Sequence, residues 1–189
     1  MPDPTAIDYR KLYDTFVPVL EREFGRKEDA VIHAIVGFEF GGPPDLLLFR
    51  HAPGIKGTFY VTSDLLFFER QPKNSLGRYE VAICLPTENK WAEHVLYKLS
   101  QAAVEEAFDV GHTADITAWV DPECATKGLL FTKLVSFEFG GQPFGALLCV
   151  GVTRTELAYA LEHGSEDLLG RLKAAGAFPV TDLRRAPVV

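Results

Sequence analysis

Two glutamates, Glu39 and Glu138, each stand between two phenylalanines and ahead of paired glycines, in "FEFGGPP" and "FEFGGQP". Two carboxylates sharing a cleft would repel, leaving one with a raised pKa and able to act as a general acid or base. His112, in "GHTADI", could relay a proton in a Ser/His/Asp set assembled in space. The thiols offer less. Cys84 and Cys149 lie in apolar, strand-like runs and Cys124 in a loop, and buried thiols are usually inert.

None of these residues sits in a motif that specifies a reaction. The pairs Gly41-Gly42 and Gly140-Gly141 lack the Gly-x4-Gly-Lys-Ser/Thr of a phosphate loop, and the Gly-x-Gly-x-x-Gly that opens a dinucleotide-binding helix. The prolines beside them remove backbone donors that an anion would need. Both pairs read instead as glycine-permitted turns between strands. Within each "FEF" a strand would send both phenylalanines one way and the glutamate the other. The likeness stops at these seven residues, short of the roughly 20 to 50 of a structural repeat, so two similar strand-turn-strand corners account for it.

The five histidines show no His-x-x-x-His spacing and the cysteines no Cys-x-x-Cys, so neither a metal site nor a cofactor is read. Gly-x-Ser-x-Gly is absent, and with it the usual hydrolase nucleophile elbow. A hydrolase-type site would have to be built in space from Glu39, Glu138 or His112.

Composition narrows the partners. With a formal charge of −7 and no Lys/Arg block, the chain lacks the phosphate contacts that nucleic-acid binding requires, and it favours encounter with a basic protein. Its apolar runs are too short to span a bilayer. An odd, widely spaced set of three cysteines and an N-terminus without a signal pattern predict a cytosolic chain. At 189 residues, 47% of them hydrophobic, it suits one domain with a sizeable core.

The elements that must position these residues follow from periodicity. "IDYRKLYDTFVPVLEREFG" spaces its apolar residues as an amphipathic helix ending at Gly25, with Pro18 expected to kink or divide it. "DAVIHAIVGFEF" reads as an apolar segment passing into a strand, and "DLLLFRHA" and "GTFYVTSDLLFFER" as further strands. In "RYEVAICLP", Tyr79, Val81, Ile83 and Leu85 alternate with Glu80, Ala82 and Cys84, predicting one strongly apolar face. "ENKWAEHVLYKLSQAAVEEAF", capped by Thr87, should be the longest helix, and "ADITAWVD" another strand. "GLLFTKLVSFEF" and "FGALLCVGV" flank the second glycine pair. Thr153 and Glu156 have capping-box spacing for a helix stopped by Gly164, with Leu157 and Leu161 on one face, and Ser165 starts a last helix. Residues 177–189 read as a tail, with Arg184-Arg185 capping a helix or sitting on the surface. The order predicts an α/β (α+β) layered domain over residues 1–189, a mixed, largely antiparallel sheet with helices packed on it.

Several of these pieces, in this order, resemble the suppressor-of-fused domain family: "GTFYVTSDLLFF", "GRYEVAICLP", "KWAEHVLYKLSQAA", "GHTADI", "GLLFTKLVSFEF" and "LLCVGVTRTELAYALEHGSEDLLGRLKAAG". The likeness runs from residue 31 to residue 176. It implies the mixed α/β N-terminal half of the animal members, which regulate Hedgehog signalling by holding zinc-finger transcription factors through protein–protein contact. For bacterial members it implies a toxin-neutralising immunity role or a regulatory one. It carries no catalytic or cofactor residue. The resulting expectation is a non-enzymatic, cytoplasmic protein-binding domain. The rivals are an enzyme and a structural homodimer joined through a sheet edge or the "LLFFER" segment.

Overall fold

The computed structural model describes residues 7–29 and 31–189. Helix α1, Tyr9–Phe24, opens where the Asp8 carboxylate accepts the Lys11 N–H, and it closes at Gly25. Pro18 neither divides it nor ends it. Pro18 and Asp14, whose carbonyl loses its helical partner there, both face solvent, where water can take the freed acceptor.

Six strands follow: β1 Leu46–Phe49, β2 Thr58–Thr62, β3 Arg78–Leu85, β4 Thr113–Asp115, β5 Thr126–Phe139 and β6 Gln142–Thr153. They form one sheet in the order β1-β2-β3-β6-β5-β4, antiparallel except for the central β3–β6 pair. Helix α2, Lys90–Ala103, covers one face, while α1, α3 (Arg154–His163) and α4 (Ser165–Ala174) cover the other.

This double cover explains why all eight residues of β3 are buried, where a one-sided strand was expected. Tyr79, Val81, Ile83 and Leu85 pack toward α2, and Ala82 and Cys84 toward α1. Glu80 shares that second face and is fully buried.

Several elements differ from the sequence reading for local reasons. The strand in "GTFYVTSDLLFFER" stops at Thr62, and Leu65–Phe67 forms a 3₁₀ turn whose Leu66 N–H donates to Glu80 Oε1 (2.9 Å). After β4, Asp115 Oδ1 accepts the Thr117 N–H (2.8 Å) and bends the chain into a 3₁₀ turn, Thr117–Trp119. Asn89, not Thr87, caps α2. At 14 residues α2 is shorter than the 16-residue α1, because the chain leaves the helix to stack Phe108 on Phe131 (4.8 Å).

Thr153 and Glu156 do form the capping box of α3, but Leu161 is exposed and Ala160 takes the buried position. Residues 177–189 have no regular secondary structure, yet they strap the sheet. Thr181 receives the Gly151 N–H (2.8 Å) and gives its own N–H to Cys84 O (2.8 Å). Arg185 is no surface decoration. It grips both carboxylate oxygens of the fully buried Glu156 (2.5 and 2.7 Å). Burial pushes that carboxyl upward, but hydrogen bonds from Arg185, the Thr153 N–H and the Val188 N–H outweigh it and hold Glu156 below the ordinary range.

Candidate binding surface

Residues 31–45 run out from the sheet edge and return to it. Ile32 and Leu46 exchange backbone hydrogen bonds (3.1 Å each way), closing the base of the loop against β1. Inside it, Asp45 gathers the two limbs. Its Oδ1 accepts the Ala34 N–H (3.0 Å), its Oδ2 lies 2.7 Å from His33 Nδ1, and its own N–H donates to Asp64 Oδ2 (2.6 Å).

The tip is equally constrained. "FEF" here is not a strand but a 3₁₀ turn, Phe38–Phe40, ended by Gly41 in the left-handed region (φ 85°). The Gly42 N–H returns to Gly37 O (3.2 Å), and a Cβ at Gly42 would overlap the Val36 carbonyl oxygen. Phe38 is buried edge-on against Phe68 (5.7 Å) and anchors the turn.

A tied loop normally turns its apolar side chains inward. This one leaves Ile35 wholly exposed, Phe40 79% exposed and Val36 half exposed. Three large apolar side chains on one constrained segment are what an interaction surface requires, whereas scattered single ones carry no meaning.

Two hollows flank the tip and share Ala34 as a wall. One, about 330 Å³, is a mainly apolar cleft where Ile32, Pro43, Pro44 and Leu46 face Lys90, Glu93, His94 and Tyr97 of α2. The other, about 230 Å³, is lined by Glu39, Asp45 and Asp64 with Phe38, Phe67 and Phe68. Burial raises the Asp64 pKa, reinforced by the charges of Asp45 and Glu39 and opposed by the Asp45 N–H.

Glu138 and His112 lie elsewhere. The second "FEF" does lie on a strand, the end of β5. There Phe137 stacks between Phe16 and Phe144 (5.8 Å each), Phe139 meets Phe144 edge-on, and Glu138 points outward, exposed. Gly140 and Gly141, at φ 58° and 73°, make the two-residue turn into β6. Glu39, Glu138 and His112 line three separate hollows with no lining residue in common, so the structure does not build the paired-carboxylate site.

The exposed His112 accepts the Asp109 N–H at Nδ1 (3.3 Å), while Ser75 donates directly to the Asp109 carboxylate (2.5 Å). In a nucleophile set the serine must reach the imidazole, so this is no relay. Burial pushes the Cys84 thiol up to about 12 and Cys149 higher still, leaving both unreactive at neutral pH. Leu65 and Leu66 of "LLFFER" are fully buried, so that segment presents no broad apolar face. Among the described residues no three His, Cys, Asp or Glu side chains converge as a metal set, and no helix is long and apolar enough to cross a membrane.

Sequence reading missed Glu80. Burial, against donors from Leu66, Thr62 and Leu65, pushes its pKa up to about 8. Thr62 Oγ1 accepts the Val81 N–H (3.0 Å), lies 3.1 Å from Val81 O and also hydrogen-bonds Glu80 Oε2. One hydroxyl proton cannot serve both oxygens, whereas a protonated Glu80 donates to Thr62 and frees Thr62 to donate to Val81 O. The available signal was the unbroken apolar run around Glu80, which marks a strand buried on both faces.

The sequence profile of Suppressor of fused protein (SUFU) matches residues 43–186. No curated protein matches the chain. Among solved structures, the SUFU homolog from Neisseria gonorrhoeae FA 1090 is 22% identical, with TM-score 0.65, covering 97% of this chain and 98% of that one. A chain of the Sufu–Fu complex is 14% identical with TM-score 0.73, over 95% of this chain and 91% of its own length. Drosophila Suppressor of Fused, also 14% identical, matches with TM-score 0.71 over 94% of this chain but 50% of its own.

Proposed function

The chain belongs to the Suppressor of fused family, and from that premise we propose that it is a non-enzymatic domain that binds another protein through the loop of residues 31–45. The observation that carries this reading is the outward display of Ile35, Val36 and Phe40 on a loop held at its base, its waist and its tip. Binding loses affinity when flexible groups must be ordered, so an apolar tip fixed in advance is suited to recognition. The existence of a solved Sufu–Fu complex supports a protein partner by analogy of fold. The net charge of −7 favours a basic partner, and a toxin-neutralising or regulatory role fits such a partner.

The test is comparative capture from the native host with the whole chain and its Ile35→Ser/Phe40→Ser variant. A protein retained by the first and released by the second supports the reading. Equal capture by both, or turnover in a broad hydrolase screen, contradicts it.

A further inference from the structure

We infer that the partner segment presents a Lys or Arg beside a bulky apolar side chain, the cation entering the acidic hollow and the apolar group the cleft against α2. This deepens the protein-binding reading and rests on it. Ala34 lines both hollows, which places them within reach of one short extended segment. Their linings differ in balance: Pro43, Pro44 and Leu46 with Lys90 and Glu93 at the first, and three carboxylates, Glu39, Asp45 and Asp64, with no Lys or Arg at the second.

The acidic side is short of positive charge, whereas several carboxylates of the framework have cationic partners. Glu28 and Glu88 pair with Arg50, Asp167 with Arg171, and Glu156 with Arg185. Among the described residues, Glu39 and Asp64 have no ion pair, and Asp45 has only His33, which is a cation only when protonated. Burial already disfavours the charged form of Asp64, so an arriving ammonium or guanidinium would relieve repulsion among three carboxylates. Arg or Lys placed there would make charge-assisted hydrogen bonds at the hollow's mouth. The exposed Ile35 and Phe40 extend the apolar contact beyond what a small cation would use, which favours a peptide over a free amine.

Selection of random 12-residue displayed peptides on the whole chain tests this. The expected consensus carries Lys or Arg within about four residues of Leu, Ile, Phe or Trp, the reach of one short extended segment. Binding of the best peptide should fall about tenfold or more in Glu39→Gln/Asp64→Asn, and should weaken as salt rises from low to high. Both substitutions keep side-chain shape and the acceptor for the Asp45 N–H, and unchanged thermal unfolding of the variant confirms that its fold is intact. Peptides that lack a basic residue, or that bind this variant equally well, overturn the inference. If such peptides are still lost on Ile35→Ser/Phe40→Ser, the loop remains a protein-binding site and only its charge preference falls. If binding ignores both variants, or nothing is enriched, both readings fall.

Discussion

Residues 38–44 and 137–143 spell nearly the same seven letters and do opposite work. The second copy is framework: its phenylalanines pack on Phe16 and Phe144, and its glycines turn β5 into β6. The first copy is a 3₁₀ turn that buries Phe38 and shows Phe40 to solvent. One difference of composition separates them. Gln142 stands directly after the second glycine pair and pairs with Phe139 across the turn, whereas the matching residue of the first copy is Pro43. Proline has no N–H to close a two-residue hairpin, so the first copy cannot take the second's path. Even the glycines are needed for different reasons. Gly141 supplies a left-handed φ, while Gly42 supplies room beside the Val36 carbonyl.

The largest expected effect follows from that last contrast. Gly42→Ala drives a Cβ into backbone and should cost about 3 kcal/mol by thermal or denaturant unfolding. Gly141→Ala meets no atom within 4 Å and should cost only about 1 kcal/mol, the strain of a left-handed alanine. Equal losses would mean that the two glycines do one job. Gln142→Pro should make the second copy resemble the first, removing the donor that closes the hairpin at about 2 kcal/mol. An unchanged midpoint would show that this proline is not what separates the copies.

Glu80 sharpens the comparison through pH, because its carboxyl hydrogen-bonds Leu66, beside the first copy's hollow, and Thr62, and not the second copy. Its folded pKa, about 8, lies above its ordinary value of 4.5, so the folded state holds the proton more tightly than the unfolded chain. The stability this gives is fully present below pH 4.5 and is lost progressively as pH rises to about 8. Glu80→Gln keeps an acceptor for Leu66 and gains a donor toward Thr62 without any charge. At pH 9 it should unfold about 1–2 kcal/mol later than the wild type, a gain that shrinks toward pH 5. A gain independent of pH would show that Glu80 ionisation is not the cause.

How far the fold could be read from the letters follows the same division. Long periodic segments were legible: α1 to Gly25, β3, most of α2 though not its cap, the β5–β6 hairpin and the capping box of α3. Their signals lie within a few residues of the structure they specify. The first "FEF" was misread as a strand because identical neighbours outweighed one proline. The 3₁₀ turn at Leu65–Phe67 depends on Glu80, and the strap of residues 177–189 on the pairing of Arg185 with Glu156. Those contacts join residues far apart in the chain. The candidate site was legible only in part. Glu39 was singled out, but its companions Asp45 and Asp64 are assembled by backbone hydrogen bonds that leave no local pattern.

The central claim is that the loop carrying the first copy recognises a partner while the second copy holds the sheet. The most direct measurement sets Ile35→Ser/Phe40→Ser beside Phe139→Ser and records, for each, the unfolding midpoint and the capture of the host protein retained by the wild type. The account predicts that the first variant unfolds within about 0.5 kcal/mol of the wild type, because both side chains are exposed, and no longer captures the partner. It predicts that the second loses about 2 kcal/mol, through Phe139's contact with Phe144, and still captures it while folded. The reverse pattern, with stability lost at the first copy and capture lost at the second, would contradict it.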